Sequence, residues 1–196
     1  MTAVKRIVPE RCCAAIVDLQ GFFLAQIDAR LRARIKTNTA NLVRLLDAFG
    51  IPLVVTLERP LDVKGTLPRE VGKHLGARAK TFEKDYFDLT KDGKIKAHLA
   101  RLKRPQVIVA GCETDVCVMQ SCLGLIAQGY EVYVMEELIF SSARNVAAAL
   151  ARLQDAGCLF LTYKMLYYEL IESVAGPDAR FAGLGPFPDD LPDAAL

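Results

Sequence analysis

At 196 residues, 52% of them hydrophobic, the chain is long enough to bury one core and short for two. A formal net charge of +2, with acidic and basic residues interspersed, carries no signature of a nucleic-acid partner. No apolar run approaches the roughly 20 residues that span a bilayer, and residues 1–11 hold no continuous apolar stretch, so a cytoplasmic protein acting on a small molecule is expected.

The first strand is expected at Cys12-Cys13-Ala14-Ala15-Ile16-Val17, an unalternating apolar run that ends at Asp18 and suits a central parallel strand. A loop over Leu19–Ile27 carries Gln20, Phe22 and Phe23, and a long helix follows from Asp28 to Phe49, closed by Gly50. Pro52–Leu57 reads as the second strand. The connection Glu58–Ala77, broken by Pro60, Gly65 and Pro68, is long enough to suggest a binding wall. Ala79–Glu83 reads as an edge-like third strand, Asp92–Leu102 as a helix, and Gln106–Ala110 as the fourth strand. A helix over about Asp115–Ala127, a fifth strand over Tyr130–Met135, and a helix capped by Ser141-Ser142 and running to Leu153 come next. Cys158–Tyr163 is the sixth strand and Met165–Val174 the last helix. From Gly176 on, four prolines and three glycines in 21 residues allow no regular element, so the organisation is one domain over 1–175 and an irregular tail over 176–196.

Strands and helices that alternate six times imply right-handed crossovers. The fold class is therefore α/β, a three-layer α/β/α sandwich around a mostly parallel six-stranded sheet. No G-x-G-x-x-G follows the first strand and no P-loop motif occurs, which removes the usual warrant for a nucleotide cofactor. The six cysteines, Cys12, Cys13, Cys112, Cys117, Cys122 and Cys158, have no C-x-x-C spacing and read as thiols in a reducing compartment.

Chemistry is expected at the carboxyl ends of the strands, which face one crevice in an open parallel sheet. Val107–Ala110 stops at Gly111, and Cys117 should fall in the first turn of the next helix, where unpaired amides and the helix dipole favour an anion. Two readings stand for Cys117, a nucleophile and a small buried core residue. Asp18 and Lys84 likewise each have a plain alternative, a structural cap and a solvated lysine paired with Asp85.

The residues Asp18-Leu19-Gln20, Glu83-Lys84-x-x-Phe87 and Gly111-x-x-Thr114-Asp115-x-Cys117-Val118 occur in that order. With them the chain, from about Cys12 to Val174, resembles the isochorismatase-like cysteine hydrolases, the superfamily of nicotinamidases and N-carbamoyl amidohydrolases. The resemblance implies a catalytic triad of Asp18, Lys84 and Cys117. In it Asp18 takes the thiol proton, Cys117 attacks a carbonyl, and backbone amides of Glu113 and Cys117 hold the oxyanion, with a cis peptide at Cys112-Glu113. Water then releases the acyl-enzyme. A thiol near its usual pKa of about 8.5 is mostly protonated at neutral pH, so Lys84 and the helix terminus are expected to lower it while Asp18 opposes them.

Gln20, Phe23, Phe87 and Thr114, with Phe22 and Tyr86 beside them, are candidate pocket residues. Nicotinamidases of this superfamily carry an Asp-x-His metal motif after the second strand. Here that place reads Leu57-Glu58-Arg59-Pro60, and the chain's two histidines are His74 and His98, so no metal and no cofactor is expected. The expected function is metal-independent hydrolysis of a C–N bond in a small amide, ureide or carbamoyl compound. The alternatives are a non-catalytic binding or scaffold protein of this fold and an isochorismatase-type vinyl ether hydrolase. The resemblance also implies a homo-oligomer, a dimer or tetramer, with Tyr163–Tyr168 and the tail as candidate contacts.

Overall fold

The computed structural model describes residues 5–173. Its elements run β1 (Cys12–Val17), α1 (Gly21–Leu24), α2 (Ala29–Ala48), β2 (Leu53–Glu58), α3 (Leu61–Lys64), α4 (Arg69–Gly72), β3 (Ala79–Lys84) and α5 (Gly93–Leu102). They continue with β4 (Gln106–Cys112), α6 (Met119–Ala127), β5 (Glu131–Phe140), α7 (Ala147–Asp155), β6 (Leu159–Leu161) and α8 (Tyr163–Ile171). Six parallel strands form one sheet in the order β3-β2-β1-β4-β5-β6. This is the α/β sandwich that the alternation of elements implied, and the tail expected over 176–196 lies outside the described residues.

Side-chain alternation along the strands builds two cores. Cys12, Ala14 and Ile16 of β1 face α2 and α8 with Leu42, Leu46 and Leu166, while Cys13, Ala15 and Val17 face α5 and α6 with Leu99 and Cys122. All six residues of β1 are buried, as a strand covered on both faces requires. β3, at the sheet edge, is partly exposed along its length. Asp28 caps α2 by accepting the Leu31 amide at 2.9 Å, and Asp92 caps α5 through the Lys94 and Ile95 amides.

Several boundaries differ from the sequence expectation: β2, β3 and β4 run one or two residues further, to Glu58, Lys84 and Cys112, and the larger differences have visible causes. The strand β5 runs on to Phe140, because the ladder with β4 slips between Val109 and Gly111 and then resumes at Gly111–Ile139 and Cys112–Phe140. Glu136 and Glu137 interrupt the apolar pattern there, and Glu137 is spent accepting the Tyr163 amide at the head of α8. The helix α7 begins only at Ala147, since Ser141 and Ser142 are engaged elsewhere and Asn145 accepts the Ala147 amide instead. The helix α8 starts two residues early because Thr162 is its N-cap, and β6 is correspondingly short. Finally, Thr114–Val118 is a π-helical turn, with the Val118 amide bonded to the Glu113 carbonyl at 3.0 Å, ahead of α6.

Gly111 holds the point where β4 approaches β1. Its φ is 116°, and a Cβ there would sit 2.0 Å from the Val17 carbonyl oxygen. Gly129 has a similar φ of 87° with open space around it. Gly129→Ala should therefore cost only the left-handed conformation, about 1–2 kcal/mol, whereas Gly111→Ala should cost about 3 kcal/mol or more and lower the melting temperature by about 6–12 °C. Thermal melts of the two variants side by side check the difference.

Candidate active site

The strand order reverses direction between β1 and β4, which opens a crevice at their carboxyl ends. Four chain segments deliver polar side chains to it. Asp18 follows β1, Glu58 ends β2, Lys84 ends β3, and Cys117 stands in the π-helical turn after β4. Asp18 adopts φ 48°, a left-handed conformation that an aspartate tolerates better than most residues. Bonds to Thr56 hold it there: the Asp18 amide donates to the Thr56 carbonyl at 3.1 Å, and the Thr56 hydroxyl donates to Asp18 Oδ1 at 2.8 Å.

Lys84 Nζ lies 2.6 Å from Asp18 Oδ2 and 3.7 Å from Glu58 Oε2, with both Lys84 and Asp18 at 0% exposure. The Cys117 thiol, 2% exposed, donates to Glu58 Oε2 at 3.1 Å. The other Glu58 oxygen is ion-paired with Lys64, whose Nζ also reaches the Arg59 carbonyl at 2.9 Å and lies 6.0 Å above the Phe23 ring. The sequence reading brought Asp18, Lys84 and Cys117 to one crevice and overlooked Glu58. Its signal was available: Glu58 closes the second strand as Asp18 closes the first, but the strand was ended one residue short at Leu57.

The electrostatics depart from the expectation of a lowered thiol pKa. Burial, with Asp18 and Glu58 adding to it, pushes the Cys117 thiol well above its usual value, and the opposing pull of Lys84 is outweighed. Cys117 is thus held as a neutral thiol, hydrogen-bonded to the Glu58 carboxylate. Burial also pushes the Asp18 carboxyl up, against the pull of Lys84 and of its hydrogen bonds. In Glu58, burial is overcome by Lys64, the Cys117 thiol and Lys84, which together hold the carboxyl below its usual value.

The remaining candidates fall into two groups. Thr114 is buried within the turn, and Phe23 lies under Lys64. Gln20 is fully occupied in holding the loop: its side chain donates to the Glu58 and Gly65 carbonyls and accepts the Glu58 amide at 2.7 Å. Phe87 and Tyr86 are half-exposed and line a groove with Met119 and Leu123 of α6. The Glu113 side chain accepts from Ser142 and the Asp115 side chain from Ser141, which ties the turn to the segment after β5. The peptide Cys112-Glu113 is cis, as is Arg59-Pro60.

Asp18, Glu58 and Cys117 offer three metal-donor atoms within 4.8 Å of one another. They do not fit a divalent cation, because the Lys84 ammonium already occupies the space between the two carboxylates. At about 4 Å it would repel such an ion by about 8 kcal/mol at an effective dielectric constant of about 20. Lys84→Met should therefore leave two buried carboxylates facing each other and cost about 3–5 kcal/mol at neutral pH. The deficit should shrink as pH falls, since the folded variant then takes up a proton at Asp18 more readily than the unfolded chain does. Urea unfolding of Lys84→Met and of Lys84→Met/Asp18→Asn at pH 5 and 8 measures it, with the double variant regaining part of the loss.

Comparison with known proteins finds that the isochorismatase domain family matches residues 12–164. A secreted isochorismatase effector of Phytophthora sojae, Isc1, is 27% identical over 180 residues, covering 89% of this chain and 84% of its own. The Escherichia coli YcaC protein, an octameric hydrolase of unknown specificity, has a TM-score of 0.85 at 21% identity over 94% of this chain and 91% of that one. A pyrazinamidase/nicotinamidase from Streptococcus mutans has a TM-score of 0.65 at 20% identity, covering 76% of this chain and 99% of its own.

Proposed function

This chain belongs to the isochorismatase family of hydrolases, and we propose that it is a cysteine hydrolase cleaving the C–N bond of a small amide, ureide or carbamoyl compound without a metal ion. The observation that carries this reading is the Cys117 thiol, hydrogen-bonded to a carboxylate at 3.1 Å beside the buried Lys84–Asp18 pair. In the proposed reaction Cys117 adds to the carbonyl carbon as its proton passes to Asp18, the base that the family resemblance implies. The backbone amides of Glu113, just before the turn, and of Cys117, within it, receive the oxyanion. Collapse expels the amine and leaves a thioester, which water hydrolyses. Lys84 keeps the buried carboxylate pair tolerable while the charge moves.

The likeness to a nicotinamidase, an enzyme named for an amide, supports C–N chemistry, as does the intact thiol, which a vinyl ether hydrolase of this family does not use as a nucleophile. Of the groups around the thiol, Asp18 and Lys84 are sealed, whereas Glu58 and Lys64 keep some exposure. Six free, buried cysteines support a reducing, cytoplasmic setting. No described helix is long and apolar enough to cross a membrane.

An ammonia-release screen of primary amides, ureides and carbamoyl compounds should return a substrate class whose turnover falls by at least about 10³-fold in Cys117→Ala, with a wild-type acyl adduct on Cys117 in intact-mass spectra. Turnover that survives Cys117→Ala, or cleavage confined to a vinyl ether, sinks the reading.

We also infer a homo-oligomer, supported by the octameric YcaC neighbour and by exposed apolar side chains at Met165, Tyr168, Tyr86 and Phe87. Of the α8 segment, Tyr163, Leu166 and Tyr167 are buried in the protomer's own core, which leaves the Met165–Tyr168 face for contact. Light scattering behind gel filtration should give a mass above the 21.5 kDa of one chain.

A further inference from the structure

We propose that Thr56 is a positioning residue of this reaction: its hydroxyl pins one oxygen of Asp18, which keeps that carboxylate ionised and leaves its other oxygen to Lys84 when the thiol proton must be taken. The proposal rests on the reading of Cys117 as nucleophile and Asp18 as its base, and deepens it by naming the group that sets the base.

Thr56 stands on β2, a strand buried at every residue, between Val55 and Leu57. Its backbone pairs with Val17 of β1 on one side and with Phe82 of β3 on the other. The register therefore sets it beside the residue that precedes Asp18. A valine has the same branched shape and suits a strand covered on both faces without burying a hydroxyl, so packing gives no reason for the threonine. Among the described residues the hydroxyl is spent on Asp18 alone: it donates to Oδ1 at 2.8 Å and accepts the Asp18 amide at 3.3 Å. The Thr56 carbonyl takes the same amide at 3.1 Å. These contacts hold Asp18 at its left-handed φ of 48°, and with Lys84 at 2.6 Å from Oδ2 they fix the plane of the carboxylate. The Cys117 thiol also hydrogen-bonds this carboxylate, so the group that Thr56 orients is in reach of the proton to be moved.

Burial pushes the Asp18 carboxyl up, and Lys84 supplies the largest opposing pull. The Thr56 hydroxyl acts in the same direction as Lys84, because the ionised oxygen accepts its hydrogen bond more strongly than a protonated one does. In the step itself the S–H electron pair becomes the S–C bond, the carbonyl π electrons go to the oxyanion, and the proton passes to Asp18. Thr56 keeps its own proton throughout. A base already protonated cannot take another proton, so the acidic limb of the rate follows the Asp18 carboxyl, and Thr56 sets where that limb lies. The titratable groups that face Asp18 are Lys84 from β3, Cys117 from the turn and Cys112 from β4, whose thiol donates to the Asp18 carbonyl at 3.0 Å. Glu58 from β2 shares the Lys84 ammonium with it. All four are retained in a Thr56 variant.

The test is acylation of Cys117 by p-nitrophenyl acetate from pH 4 to 8, followed as the nitrophenol burst with the adduct located by mass spectrometry. Wild type, Thr56→Val, Thr56→Ala, Thr56→Ser, Asp18→Asn and Cys117→Ala are compared, each checked for folding by circular dichroism. Loss of one hydrogen bond to a charged group should move the acidic limb of Thr56→Val up by about one pH unit, which makes acylation about tenfold slower below the limb and leaves it within about threefold of wild type above it. Thr56→Ala should show the same displacement and serves if the valine variant does not fold, whereas Thr56→Ser should put the limb back. A limb that stays in place in Thr56→Val and Thr56→Ala overturns the proposal. So does a loss that is equal at every pH, which is the mark of a merely structural role, or a Thr56→Ser limb displaced like that of valine. Two other failures are distinct: Asp18→Asn with the wild-type rate and limb refutes Asp18 as the base and the proposal with it, and a burst undiminished in Cys117→Ala refutes the cysteine reading itself.

Discussion

The buried ion pair between Lys84 and Asp18 is the constraint around which the carboxyl end of the sheet is arranged. An ammonium and a carboxylate at 0% exposure each lose several kcal/mol of hydration, which only close partners recover. The lysine stands on the edge strand β3 and the aspartate follows the central strand β1, with β2 between them. Strands lie about 4.8 Å apart, so the charge must cross about 10 Å. The lysine stem covers most of that distance and the Asp18 carboxyl reaches back to meet it, over the end of β2, where Glu58 is the register partner of Lys84. The second carboxylate is thus built into the sheet ladder.

Topology supplies the crevice in which this pair works. The order β3-β2-β1-β4-β5-β6 sets β1 beside β4 with their connections leaving in opposite directions, so the ends of the two strands stay uncovered by a crossover. Gly111 lets β4 come close enough to the Val17 carbonyl to keep Asp18 and the following turn in reach of each other. Beyond it the chain enters a π-helical turn, which carries Cys117 toward the carboxylates. Ser141 and Ser142, just after β5, fasten that turn through Asp115 and Glu113. A π-turn of this kind recurs at functional sites because it re-aims one side chain without ending the helix that follows.

The resulting thiol differs from one placed simply at a helix N-terminus. Such a thiol is lowered by amides and the dipole. Cys117 meets instead two carboxylates and a closed environment, which hold its proton in place. That arrangement suits a nucleophile deprotonated at the moment of attack, with a proton acceptor already in hydrogen-bond contact.

Residue pattern alone determined the layer architecture, the single parallel sheet, and the position of Asp18, Lys84 and Cys117 at strand ends. Runs such as Cys12–Val17 and Gln106–Ala110 are apolar without alternation, and helices of period 3.6 lie between them, so burial on both faces and one shared crevice follow locally. Tertiary structure alone decided the rest. Glu58 became part of the site because β3 pairs with β2 in a register that no single segment encodes. Gln20 turned inward to hold Glu58, and Phe87 turned outward to α6, because their partners come from distant segments. The extension of β5 depends on the ladder slip between Val109 and Gly111, and the thiol's raised pKa depends on which charges converge within a few ångströms. Spacing along a chain specifies which strand end a residue occupies, whereas electrostatics depends on distances between strand ends, which exist only once the sheet is assembled.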